Sequence, residues 1–244
     1  MRKLFTAAFI LGLSTSVFGQ QDPQFSQNMF NRLFSNPAYA GSSDAICFTG
    51  LFRSQWVSYD GAPKTGVFSA DMPINKINMG AGLTLWTDEI GFENTFEAKL
   101  ALSYRFKIGS TSHLGVGLDL GYMQKSLDGT KLVPNQQNDP IIPGNVSGNA
   151  IPDIGAGLYF NSSKFYAGVS ATHLTENEID LDKTNYKLAR HYYLTAGYLF
   201  ELTPSLGLTP SVYLKNDGKT TQTDINLLLH VDRKSTRLNS SHRT

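Results

Sequence analysis

The stretch Phe92-Glu93-Asn94-Thr95-Phe96-Glu97-Ala98-Lys99-Leu100-Ala101-Leu102-Ser103-Tyr104-Arg105-Phe106 alternates with a period of two. Phe92, Phe96, Ala98, Leu100, Leu102, Tyr104 and Phe106 form one set, interrupted only by Asn94. Glu93, Thr95, Glu97, Lys99, Ala101, Ser103 and Arg105 form the other. Successive side chains of a strand point to opposite faces, so this is one ribbon with an apolar side and a polar, charged side.

The pattern spreads in both directions. Leu114, Val116, Leu118, Leu120 and Tyr122 alternate with His113, Gly115, Gly117, Asp119 and Gly121. Met79, Ala81, Leu83 and Leu85 alternate with Gly80, Gly82, Thr84 and Trp86. Ten such segments are expected, near 45–53, 64–72, 79–87, 92–106, 113–124, 153–160, 164–174, 190–200, 206–215 and 221–231. Most exceed the usual strand of about 5–6 residues and reach the length a tilted strand needs to cross a bilayer. Connections after even-numbered strands are short (73–78, 107–112, 161–163, 201–205). Those after odd-numbered strands include the long 125–152 and 175–189. Short turns on one side and long loops on the other mark an outer-membrane barrel. The fold class expected is therefore all-β, an antiparallel up-and-down β-barrel with its apolar face toward outer-membrane lipid.

The polar face carries Gly80, Gly82, Gly115, Gly117, Gly121, Gly155 and Gly157. Glycine there suits a lumen, where it permits tight curvature and the close approach of internal segments. Charges of both signs on that face (Glu93, Glu97, Lys99, Arg105 and Asp119) are expected to pair across the interior.

Composition agrees. Across 244 residues, 41% are apolar, 11% aromatic and only 17% charged, against roughly 25% charged in average domains. With 21 Lys+Arg against 20 Asp+Glu there is no basic surplus for nucleic acid. One cysteine, Cys47, excludes an internal disulfide framework and any multi-cysteine metal site. No run of about 18 apolar residues provides a transmembrane helix. At the start, Arg2 and Lys3 precede the apolar run Leu4–Leu13, and small residues follow at Val17 and Gly19. This is a signal peptide, with cleavage expected between Gly19 and Gln20. Residues 1–19 are thus read as signal, 20–44 as an N-terminal arm or plug and 45–231 as barrel.

Catalytic patterns are weak. His113, His173, His191, His230 and His242 lack metal-ligand spacing, and no Gly-x-Ser-x-Gly elbow occurs. Ser103, His113 and Asp119 share polar faces of neighbouring strands, the one arrangement from which a triad could assemble. The Glu93 and Glu97 carboxylates, near Lys99 and Arg105, read as an ion-pair network. No enzyme activity, cofactor or metal is expected.

One segment is more specific than turn chemistry: Asp22-Pro23-Gln24-Phe25-Ser26-Gln27-Asn28-Met29-Phe30-Asn31, continuing through Asn36-Pro37-Ala38-Tyr39-Ala40-Gly41. Arg53-Ser54-Gln55-Trp56 and Gly61-Ala62-Pro63-Lys64-Thr65 follow in order, with Asp139-Pro140 later. Together they resemble the PorP/SprF family of type IX secretion system membrane proteins, over about residues 20–231; Arg32 departs from the proline often found there. The resemblance implies an outer-membrane barrel of about fourteen strands when complete. It implies a role in secreting or surface-attaching cargo that bears a type B C-terminal signal domain, gliding adhesins among them. It also implies a periplasmic peptidoglycan-binding lipoprotein as partner. The rival function is a passive porin or hydrophobic-solute transporter; a soluble secreted β-sandwich is a third reading.

Within those motifs the arm is too apolar to float free, and it is expected to enter the lumen as a plug or to dock at the periplasmic mouth, a surface arm being the rival reading. Arg53 and Gln55 are expected on one strand face, as a lumen hydrogen-bond pair or a cargo contact. Trp56 is expected at the membrane–water interface. Gly61-Ala62-Pro63 is read as a tight loop. The tail 232–244 has one apolar residue, Leu238, and no alternation; it reads as non-native sequence closing a C-terminally truncated barrel.

Overall fold

A computed structural model of the chain describes Pro23, Phe25 and residues 27–131, 145–181 and 185–231. The expected signal peptide (1–19), Asp139-Pro140 and the tail 232–244 lie outside these residues. The strands are β1 (Cys47–Ser54), β2 (Lys64–Ile74), β3 (Met79–Ile90), β4 (Glu93–Ile108), β5 (Ser112–Asp128), β6 (Asn145–Ser147) and β7 (Ile151–Asn161). They continue with β8 (Phe165–Thr172), β9 (Glu178–Asp180), β10 (Asn185–Lys187), β11 (His191–Tyr198), β12 (Phe200–Thr203), β13 (Leu206–Asn216) and β14 (Thr221–Val231).

The fold is all-β. β1, β2, β3, β4, β5, β7, β8, β11, β13 and β14 pair antiparallel in that order. β12 extends the line of β11 along the same edge of β13. The ten expected segments are these ten ribbons, curled into a half-barrel. Among the described residues β1 and β14 do not pair with each other. Several strands run longer than expected, up to seventeen residues in β5, because the alternation continues into segments read as loop.

The two faces of the wall are reversed relative to a soluble protein. On β4, Leu100 is 65% exposed while its neighbour Lys99 is 7% exposed. Glu97, Ser103 and Arg105 are buried, and Leu102, Tyr104 and Phe106 are exposed. Outward Phe68, Leu118, Leu120, Ile225 and Leu227 extend the apolar surface to other strands. Water would penalise so large an apolar coat. From Phe96 to Phe106 there are ten residue steps, roughly 33 Å of strand at about 3.3 Å each. At a tilt of about 45° this spans roughly 23 Å, close to the apolar band of a membrane barrel at about 25 Å. The outer face meets lipid.

Leu100→Arg tests this directly. A charge near the bilayer midplane costs about 2–4 kcal/mol, whereas an exposed site in water tolerates it within about 0.5 kcal/mol. Denaturant titration in liposomes is expected to show the larger loss.

Candidate functional site

The interior is filled by the arm. A 3₁₀ turn at Pro37–Tyr39 follows Asn36, whose side chain accepts the Ala38 N–H at 3.0 Å. This is a local cap that residues of the Asn-Pro type favour. Asn31, Leu33, Ser35, Asn36, Ala38 and Ala40 are all buried against the polar face of the sheet. The contacts explain the glycines. A Cβ at Gly80 would collide with the Ala40 carbonyl, one at Gly117 with the Ala38 backbone, and one at Gly157 with the Asn36 side chain. These positions are therefore glycine because another backbone lies on them.

Polar groups fix the arm in register. Ser103 Oγ donates to the Ala40 carbonyl (2.7 Å) and Ser170 Oγ to the Ser35 carbonyl (2.6 Å). The Gly41 N–H donates to Asp71 Oδ2 (2.9 Å). Asn36 Nδ2 donates to the Leu158 carbonyl (3.0 Å) and the Val169 carbonyl (3.4 Å). Arg32 Nη1 donates to the Tyr159 hydroxyl (3.0 Å), and its guanidinium carbon lies 3.8 Å from the centre of the Tyr166 ring. Arg32 is thereby held by aromatic faces.

Beside the arm lies a buried charge cluster. Register places Lys99, Gly121 and Asp153 in one row across β4, β5 and β7. Gly121 leaves room for the Lys99 stem, whose Cγ a Cβ there would meet at 2.7 Å. Lys99 Nζ so reaches Glu97 Oε1 (3.0 Å) and Asp153 Oδ2 (2.8 Å). His173 Nδ1 lies 3.0 Å from Asp153 Oδ1, and Trp86 Nε1 donates to Glu97 Oε2. His191 packs edge-on against His173 with ring centres 5.6 Å apart. Glu97, Asp153 and His173 each offer a ligand atom within 4.8 Å of the others, a set that could hold a metal ion. Lys99 already stands between the two carboxylates, so the chain supplies the countercharge itself.

The long connection after β8 folds inward. Its hairpin, β9–β10, pairs only with itself. Ile179 is fully buried, and Leu181 and Leu188 nearly so, in one cluster with Val67, Trp86, Met123 and Ile151; Phe25 and Phe34 of the arm pack on it. Lys125 Nζ sits 4.1 Å from the Tyr186 ring centre and bonds Glu93 Oε2 at 2.6 Å. Its apolar residues close over the lumen, while Glu178, Asp180 and Lys187 stay exposed.

Residues 17–237 match the family described as type IX secretion system membrane protein PorP/SprF. The chain belongs to the PorP/SprF family. No curated protein matches it. As a member it is a membrane protein of the type IX secretion system, from a family that is not one of enzymes.

The PorP/SprF motif residues take varied positions. Gly19, Gln20, Asp22, Gln24 and Ser26 lie outside the described residues. Pro23 and Phe25 line a small cavity with Tyr193, Tyr213 and Lys215, and Gln27 is exposed. Asn36, Pro37, Ala38 and Gly41 lie on the inner wall. Gln55 and Trp56 fall beyond the end of β1, but the Gln55 N–H still donates to the Pro63 carbonyl (3.0 Å), in line with the pairing of Ser54 and Lys64, and Arg53 and Gln55 are both half-buried. Trp56 is exposed with a left-handed φ of 46°. Gly61, at φ 76°, accepts the Gly91 N–H. Pro63 and Thr65 are buried, and Thr65 Oγ1 donates to Asp88.

The register settles how two groups of polar residues lie. His113 and Asp119 sit six residues apart on one strand, roughly 20 Å at about 3.3 Å per residue, and Ser103 is engaged by Ala40; the three form no triad. The expected single ion network is three separate groups, because Glu93 pairs with Lys125 and Arg105 with Asp44 (2.7 Å). The meeting of Asp153, His173 and His191 was not foreseen, because they come from β7, the residue after β8, and β11 and share no short spacing.

Lys99→Met leaves two buried carboxylates without their cation and is expected to cost about 3–5 kcal/mol. Lys164→Met removes the exposed pair with Glu201 and is expected to cost at most about 1 kcal/mol. Parallel unfolding titrations compare them.

Proposed function

We propose that this PorP/SprF chain is a non-catalytic outer-membrane component of the type IX secretion system. In this reading it supports secretion or surface attachment of cargo with a type B C-terminal signal, gliding adhesins among them, by protein–protein contact. A periplasmic peptidoglycan-binding lipoprotein serves as its structural partner. The observation that carries the reading is the filled lumen. An arm bonded along the inner wall and a hairpin folded over it leave this part of the interior packed, which disfavours a passive porin or solute transporter. The outward-facing Glu178, Asp180 and Lys187 of the hairpin and the exposed loop at Trp56, Val57 and Tyr59 are the proposed contact surface at the long-loop end. Among the described residues the outer edges of β1 and β14 have no ladder partner, and in lipid such an edge requires one.

Two measurements separate the readings. The protein in planar bilayers is expected to give no large steady conductance, and affinity purification from membranes is expected to bring down a signal-bearing surface protein. Large steady channels without such a partner would favour the porin.

A further inference from the structure

The contacts between arm and wall are of an unusual kind. Ser103 and Ser170 bond carbonyl oxygens of the arm, and Asp71 accepts a backbone N–H. None of these reads a side chain. Where the arm comes closest the wall has glycine, at Gly80 and Gly117, so main chain rests on main chain. Among its polar side chains Asn36 is read closely, donating to the Leu158 and Val169 carbonyls and accepting from Ala38, while Leu33 packs over Gly82 and Phe34 joins the apolar cluster. Backbone bonds for affinity and a few side-chain pockets for selectivity are how proteins hold peptide segments.

We infer that the lumen wall is a polypeptide-binding groove, filled in cis by residues 33–41, that accepts in trans a turn-forming, uncharged segment of a second polypeptide carrying an Asn-Pro turn among small residues. The occupant's chemistry is written in the cis ligand, Leu33-Phe34-Ser35-Asn36-Pro37-Ala38-Tyr39-Ala40-Gly41. Charge is absent from it, and its smallest residues face the glycines.

The hairpin β9–β10 is the lid over the Phe34 end of this groove. It is separate from the main sheet, and two non-glycine residues with left-handed backbone, His173 (φ 54°) and Glu176 (φ 47°), bend the chain at its base. Its buried Ile179 belongs to the apolar cluster that also receives Phe34 of the arm. Asn149 Oδ1 accepts the Asp180 N–H at 2.9 Å and fastens the rim. Exchange of the occupant therefore requires the lid to lift.

This inference builds on the filled-lumen reading above, and its test reads exchange rather than occupancy, so its failure leaves that reading standing. A Cys47→Ser chain with a protease site inserted between Ser43 and Asp44 is folded in detergent, cut, and offered a fluorescent synthetic peptide of residues 27–42. The peptide is expected to replace the cut arm, and the Asn36→Ala peptide to compete at least tenfold less well. Oxidising an added Asn149→Cys and Asp180→Cys pair is expected to slow replacement at least tenfold, with recovery on reduction. No replacement with the lid reduced, or equal competition by a peptide of scrambled order, overturns the groove. In the uncut chain, amide hydrogen exchange over residues 33–41 is expected to slow at least tenfold when the lid is oxidised. Equal rates in the two states overturn the lid.

Discussion

A main chain can lie directly on a sheet only where the sheet has no Cβ. At Gly80, Gly115 and Gly117 that condition is met, and the backbone of Ala38 and Ala40 occupies the space. The consequence reaches the whole wall. Because the polar face is taken up by the arm, its serines, asparagines and charges find partners inside the molecule, and burying them carries little penalty. The opposite face, rich in Leu, Phe and Tyr, is then left to lipid. Adding one methyl at Gly117 would force the arm off the wall and undo both conditions together.

The interior charges follow the same logic. Lys99 lies between Glu97 and Asp153, and His173 completes the surroundings of Asp153. Such a cluster is costly to assemble and more costly to break, since each member leaves an unpaired buried charge behind. It ties β4 to β7 across β5 and brings in the end of β8, the strand from which the lid departs. Arm, charge cluster and lid form one continuous interior, and the apolar core near the long loops is the place where they meet.

Much of the wall was legible in the sequence because a period of two over ten or more residues has no competing interpretation. Ten ribbons, the inward charges on β4 and the sorting of loop lengths all follow from it. The glycines hinted at close approach, and the arm residues that approach them stand in a motif noticed for other reasons. What stayed hidden has physical causes. Asp153, His173 and His191 meet through register across several strands, which no local spacing records. Ile179, Leu181 and Leu188 sit in a connection without alternation, so their burial depends on a core supplied by other parts of the chain.

The central claim is that alternate residues of β4 face lipid and a filled interior. Single cysteines placed in a Cys47→Ser background at residues 96, 98, 100, 101, 102, 103, 104 and 106, spin-labelled and reconstituted in bilayers, test it most directly. The account predicts high collision rates with oxygen and low rates with an aqueous nickel chelate at the even positions, and low rates with both reagents at 101 and 103. Free access of the nickel chelate to Leu100→Cys and Leu102→Cys would contradict it.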